Sequence, residues 1–146
     1  MARNRFSARR IPNGTYGSVW VDGERLAECY GCQGKVAINS DKINLCGEFM
    51  EQSKPVSGSG TGSLMLYKVD SGLIQRMQGV QDGDIPESTI ISKLADPASA
   101  GAERIAYYGV MFTDMTLADW QAATSGKVTA PFTFTRFELL DLIPVE

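Results

Sequence analysis

The most reactive groups in this chain are three cysteines, two of which, Cys29 and Cys32, stand in a Cys-x-x-Cys spacing, with Cys46 further on. That spacing suits a zinc knuckle or a redox dithiol. Structural zinc takes four ligands, however, and the sequence offers no fourth cysteine and no histidine. An odd cysteine count at irregular spacing argues against a secreted disulfide framework and for free thiols in a reducing compartment. The lack of histidine also removes the commonest general base and the Ser-His and Cys-His nucleophile pairs. No catalytic residue, no metal and no cofactor are therefore expected, and a cysteine-dependent enzyme would need a thiolate of unusual reactivity.

Three other patterns are weighed and set aside. Gly58-Ser-Gly-Thr-Gly62 has the glycines of a phosphate loop but not the Lys-Ser/Thr pair that follows them, and a strand rather than a helix comes next. Asp82 and Asp84 in Gln81-Asp-Gly-Asp could serve acid-base work or calcium, yet the rest of a calcium loop is missing and the segment reads as a solvated turn. Trp20, Trp120, Tyr107 and Tyr108 would stack on single-stranded nucleic acid only beside a basic groove. Their neighbours include Asp22, Glu24 and Asp119, so they are assigned to the core or to a subunit interface.

The charge distribution points the same way. Arg3, Arg5, Arg9 and Arg10 make residues 1–12 a flexible basic tail, whereas residues 11–146 hold 10 basic and 17 acidic side chains, a net of −7. Nucleic-acid affinity comes largely from Lys and Arg on phosphates, so the acidic body is not expected to grip DNA. No apolar run nears the about 18 residues of a membrane span, and no apolar segment backs the charges at the N-terminus, so membrane insertion is not expected and the chain is placed in a cytoplasm. At 146 residues it forms one domain, long enough to bury about 70% of its unfolded surface.

The elements read as follows. Val19-Trp20-Val21 is a strand running into an Asp22-Gly23 hairpin turn, a strand over Leu26–Tyr30 comes next, and Lys35–Leu45 is a half-buried strand. Cys46–Gly62, rich in glycine and serine, reads as a long loop. Leu64–Val69 is a strand, and a short helix buries Leu73, Ile74, Met77 and Val80 after caps at Asp70-Ser71. Strands follow over Ser88–Ala95, Glu103–Thr113 and Val128–Leu140, with a shorter one over Leu117–Ala122. In Val128–Leu140, Phe132 and Phe134 share a face with Val128 and Ala130, opposite Thr129, Thr133 and Thr135. Pro131 places this strand at a sheet edge open to another chain. The sum is a mainly β chain, an antiparallel sandwich or barrel with one short flanking helix.

These residues carry a resemblance. Gly17-Ser-Val-Trp-Val-Asp-Gly-Glu-Arg-Leu26, Gly47, Gly58–Val69 with its glycine-rich lead into Tyr-Lys-Val, Glu103–Phe112 and Pro131-Phe-Thr-Phe-Thr-Arg-Phe137 together resemble the tail tube proteins of contractile phages and phage-like particles, in particular the PBSX-like element family. The match spans nearly the whole chain; the cysteines and the arginine tail stand outside it. The resemblance implies a structural, non-enzymatic subunit of the phage tail tube fold. Six copies would form a ring whose inner strands make one barrel, and rings would stack into a hollow conduit. Cys46–Gly62 would be the inter-ring loop, with Gly47, Phe49, Met50, Lys54 and Val56 as contacts, and Thr129, Pro131, Thr133 and Thr135 would line the inter-subunit edge. It further implies sheath, tape measure, baseplate and terminator proteins as partners, DNA only as passing cargo, and a place in a virion tail assembled in the bacterial cytoplasm. An acidic lumen is expected to keep phosphates from sticking. The alternative is a monomeric β-barrel that binds a small ligand.

Overall fold

Asp22 and Gly23 both take positive φ, 51° and 86°, as a two-residue type I′ turn requires. β1 (Gly17–Val21) therefore turns directly into β2 (Glu24–Arg25), with Val21 opposite Glu24. The computed structural model describes residues 6–145, and from this hairpin the described chain builds one antiparallel sheet. β1 pairs with β5 (Ser88–Leu94), and β5 with β6 (Glu103–Phe112). The far side of β6 takes β8 (Arg136–Asp141) along its first half and β7 (Lys127–Phe134) at Met111 and Phe112. β7 continues to β4 (Gln52–Tyr67) and β4 to β3 (Cys29–Ile43). The strand order is β2-β1-β5-β6-β7-β4-β3, with β8 off this path on β6.

The sheet folds over at β6, and its two layers share one core. Val19, Val21, Ile90 and Tyr107 from one layer meet Leu64, Leu66, Ala130, Phe132 and Phe134 from the other. α1 (Gly72–Arg76) starts where the Asp70 carboxylate accepts from the Gly72 N–H at 3.0 Å, and it runs through a 3-10 turn to a left-handed Gly83. Met77, which follows α1, closes one end of the core at 4% exposure.

Several expectations are corrected. The stretch 46–62 is not a long loop: β4 begins at Gln52, so only residues 44–51 connect it to β3. Two of its glycines, Gly60 and Gly62, are slots for aromatic rings. A methyl at Gly60 would stand 2.5 Å from the Phe134 ring, and one at Gly62 would stand 2.6 Å from Phe132 and strike the Gln33 carbonyl. The segment predicted as one strand over Val128–Leu140 breaks at Thr135, whose N–H donates to the Tyr108 carbonyl at 3.1 Å where Gly109 turns the backbone with φ 64°.

Pro131 is not on an edge strand, because β7 lies between β6 and β4. The Pro131 carbonyl accepts from Thr113 N–H just past the last β6–β7 pair. Since a residue's N–H and C=O in an antiparallel strand address the same neighbour, the donor that proline lacks falls where that ladder ends. Leu117–Ala122 is not a strand, and Leu117 and Trp120 are exposed. The strand expected over Leu26–Tyr30 begins at Cys29. Lys35–Leu45 is exposed rather than half-buried, since no second layer covers it. Of the basic tail 1–12, residues 1–5 lie outside the described residues, and Ala8–Arg10 form a 3-10 turn.

Gly62→Ala should lower stability by about 1–3 kcal/mol through overpacking, because its methyl meets backbone. Gly58→Ala, whose methyl would find only ordinary contacts at 3.7 Å and beyond, should be near neutral in the same urea titration. Equal effects at the two positions would refute the slot reading.

The Asp22 side chain ties the first hairpin to β5 and α1. Burial pushes its carboxyl up, but the Thr89 N–H at 2.9 Å, the Arg76 guanidinium and the Ser88 hydroxyl outweigh burial and hold it below the ordinary carboxylate value. A depressed folded-state pKa gives stability that is present above the unfolded value of about 3.9 and lost as pH falls through the folded one. Asp22→Asn keeps a residue tolerant of positive φ and should cost stability at pH 6. The gap to the parent should close as pH falls through the depressed folded-state value; a gap that does not vary with pH would refute this.

Candidate assembly surfaces

The groups with possible chemistry do not converge. The Cys29 thiol is half-buried and donates to the Gly31 carbonyl at 3.2 Å, while Cys46 is exposed on the turn after β3. Cys32 packs against the core. Burial, with Cys29 nearby, pushes the Cys32 thiol up to about 11, the opposite of an activated nucleophile. Among the described residues no three Cys, Asp or Glu side chains gather as a metal would require. Tyr107 is in the core, with ring centroids 4.9 Å from Phe134 and 6.0 Å from Phe132. Tyr108 points outward, donating to the Glu138 carboxylate at 2.8 Å under the Arg136 guanidinium. Trp20 and Trp120 lie apart from both, one half-buried in β1 and one exposed in the loop after β6. Gly58–Gly62 is the middle of β4, and Asp82 and Asp84 flank the turn at Gly83.

The conspicuous surfaces are apolar and unpartnered. The β4–β7 ladder ends at Gly60 opposite Phe134, so beyond it β3 and β4 run on as a two-stranded arm. An isolated two-stranded ribbon is marginal in water, and this one shows its apolar side chains openly. Ile38 is 70% exposed, and Val36 and Val56 about half. Val36 and Ile38 continue, beyond the core, the face of β3 that carries Cys32, and the bulge at Val56 splays the β4 side. Of the predicted inter-ring contacts, the arm's turn carries Gly47 at φ 85° with Phe49 fully exposed and Met50 largely so, while Lys54 sits in β4 opposite Asp41. β3 ends the sheet, so its outer edge is open.

A second, unlike seam lies on β8, which among the described residues pairs only with β6. Phe137 and Leu139 stand in register with Tyr107 and Ile105, on the face that elsewhere is core, yet both are about half exposed. Leu142 extends the seam, and the Phe137 ring meets Phe134 edge-on at 6.5 Å. Sequence reasoning missed this seam because it joined β8 to β7.

The predicted edge residues Thr129, Pro131 and Thr133 face away from the core on β7, while Thr135 is the link between β7 and β8. The outward face they share with Gln33 and Lys35 of β3 and Thr61 and Ser63 of β4 is mostly polar, with Met65 and Tyr67 on it opposite Thr129 and Lys127. Its strand segments 29–39, 57–67 and 127–134 contain Lys35 and Lys127 but no aspartate or glutamate. The acidic charge of the body lies elsewhere.

A model of the family described as phage tail tube protein matches residues 4–141. This chain belongs to the phage tail tube protein family. It is 30% identical over 137 residues to the Phage-like element PBSX protein XkdM of Bacillus subtilis (strain 168), covering 92% of this chain and 93% of that protein. An uncharacterized protein of the same strain, YqbM, matches to the same extent. In fold it is similar to a chain of the anti-feeding prophage tube-terminating cap, with TM-score 0.74 at 10% identity and coverage of 97% of this chain and 100% of that one. A chain of the sheath-tube complex of an extracellular contractile injection system gives TM-score 0.67 at 11% identity, covering 97% and 95%. This tail tube protein is thus a structural, non-enzymatic tail component with a mainly antiparallel β fold, and the small-ligand barrel gives way to that reading.

The thiols provide a test of the placement. At pH 8 a disulfide reagent such as 5,5′-dithiobis(2-nitrobenzoate) should titrate Cys46 quickly and Cys32 only after unfolding, and Cys46→Ser should remove the fast phase. Cys46→Ser should leave stability unchanged, whereas Cys32→Ala should cost about 1 kcal/mol for the lost buried atoms. Fast labelling of Cys32 in the folded chain would overturn the packing described.

Proposed function

We propose that this chain is the repeating subunit of a contractile-type tail tube, six copies closing a ring and rings stacking into a hollow conduit for DNA or particle delivery. The observation that carries this is the pair of unlike apolar seams, one on the β3–β4 arm and one on β8. Different surfaces that complement each other make a head-to-tail contact, which either closes into a ring or propagates. The open backbone edges of β3 and β8 add unpaired N–H and C=O groups that a neighbouring strand would satisfy. The sixfold count comes from the family resemblance, and a solved neighbour belongs to a six-fold symmetrised baseplate.

In this reading the arm turn with Phe49 and Met50 reaches the next ring. The outward face of segments 29–39, 57–67 and 127–134, which hold no carboxylate, is the lumen wall. In this reading Ser and Thr hydroxyls and two lysines per subunit line it, in place of the acidic lumen expected from the net charge: the wall holds few charges of either sign, so passing phosphates meet few fixed partners. Solved neighbours of similar fold come from a sheath-tube complex, a sheath/tube terminator and a baseplate, which supports sheath, terminator and baseplate as partners here. A tape measure protein would occupy the lumen during assembly in the host cytoplasm.

Ile38→Asp on the arm and Phe137→Asp on β8 should each abolish rings in negative-stain micrographs while leaving the far-ultraviolet circular dichroism unchanged, because burying an unpaired charge costs several kcal/mol. Phe49→Asp should spare rings and shorten tubes. Persistent monodisperse monomer for the parent chain at high concentration with baseplate present, or normal tubes from both seam variants, would defeat the proposal.

A further inference from the structure

The arginine segment near the N-terminus and the cavity under α1 are both left unused by the surfaces above, and their chemistries match. A cavity of about 300 Å³ opens between α1 and the sheet, floored by Leu26, Leu66, Leu73, Phe112, Met115 and Val128. That is the small end of the range for ligand pockets, sized for one or two side chains rather than a cofactor. Its lining also includes the carboxylates of Glu24, Glu28 and Asp114. None of these three is in an ion pair among the described residues, whereas Arg76, the nearby guanidinium, is already held by Asp22. Lys68 is the other cation in the lining, so the mouth keeps a negative excess.

Phe6 is 83% exposed and Ile11 58%. Arg9, exposed on the 3-10 turn between them, forms no ion pair among the described residues. Arg3 and Arg5 precede them in the sequence. The segment and the cavity sit at opposite ends of the sheet. The chain enters β1 at Gly17, in register with Leu94 and Glu103, whereas the cavity lies past Val21 and Phe112 at the other ends of β1 and β6.

We infer that the Phe6–Arg9 segment of one copy docks in the α1 cavity of the next copy along the tube, an apolar side chain entering the floor and the Arg9 guanidinium resting on the rim formed by Glu24, Glu28 and Asp114. For its geometry this rests on the stacking of subunits proposed above. Two copies related by a shift along the strand direction bring the Gly17 end of one against the Val21 end of the other. A basic segment with an embedded aromatic meets an apolar hole with an acidic rim, so fit and charge select the same partner. Contacts of this kind do not close on themselves, which is what a tube requires along its axis.

The test uses the full chain carrying Phe6→Ser and Arg9→Ser, labelled with ¹⁵N, and a synthetic peptide of residues 1–12 added in trans. Saturable amide shifts at Leu73, Met115 and Val128 are expected, weakening as salt is raised. Asp114→Lys, at an exposed position, should weaken the peptide by about three- to tenfold, the scale of one or two surface ion pairs. In the full chain Arg9→Glu should lengthen the lag of tube growth, and combining it with Asp114→Lys should restore it. Absence of saturable shifts, shifts confined to the arm or another basic-binding surface, or peptide affinity indifferent to Asp114→Lys would each overturn the inference. The peptide result does not depend on tubes forming, so micrographs without tubes would count against the stacking proposal alone.

Discussion

The structure depends on how β7 seats its phenylalanines. Phe132 and Phe134 point into the space between the two layers, and β4 offers them Gly62 and Gly60, positions where any side chain would collide. Tyr107 from the other layer completes the cluster, and Phe112 meets Phe132 edge-on at 6.2 Å. Close approach of β4 to β7 lets large rings fill the interior without voids, and that density is what makes a core cohesive. β6 can then serve both layers, because the fold-over at Gly109 brings its last residues alongside the same rings.

That core ends before the chain's strands do. Past Phe134 no ring is left to cover β3 and β4, yet both continue, carrying Val36, Ile38 and Val56 into solvent. β8 likewise leaves Phe137 and Leu139 uncovered on a face that belongs to the interior. A chain that builds an interior and then leaves two of its margins open has unfinished burial, and another copy is the economical way to complete it. The physics of folding and of assembly are here the same, since the surfaces that would join copies are extensions of the face that already forms the core.

Charge is distributed with comparable order. The outward face of β3, β4 and β7 keeps only two lysines and no carboxylate over three strand segments, though the body is acidic. The carboxylates collect at the margins instead, some pairing with basic partners, as Asp22 with Arg76 and Asp141 with Arg104 at 3.3 Å. Others, Glu24, Glu28 and Asp114, line the cavity beside α1 without an ion pair among the described residues. Net charge alone therefore gave a poor guide to the face nearest the proposed cargo, because a sum over residues carries no direction.

The sequence by itself determined what depends on residue identity and local geometry. Without histidine or a fourth cysteine there were no Ser-His or Cys-His pairs and no four-ligand Cys/His zinc site to build, and Asp22-Gly23 signalled a tight turn. The period of two from Val128 to Phe134 put the phenylalanines on one face, and the order of motifs from Gly17 to Phe137 disclosed the family. Tertiary structure decided the rest. Gly60 and Gly62 look like flexibility when read along the chain, and become strand positions only when the rings opposite them are known. Thr135 carries no signal that it ends a strand, because the break is imposed by Gly109 in β6, far away in sequence. Pro131 reads as an edge residue until the end of the β6 ladder is seen to leave its missing N–H without a partner to disappoint. Each of these depends on which atom lies across the sheet, and a linear sequence does not contain that neighbour.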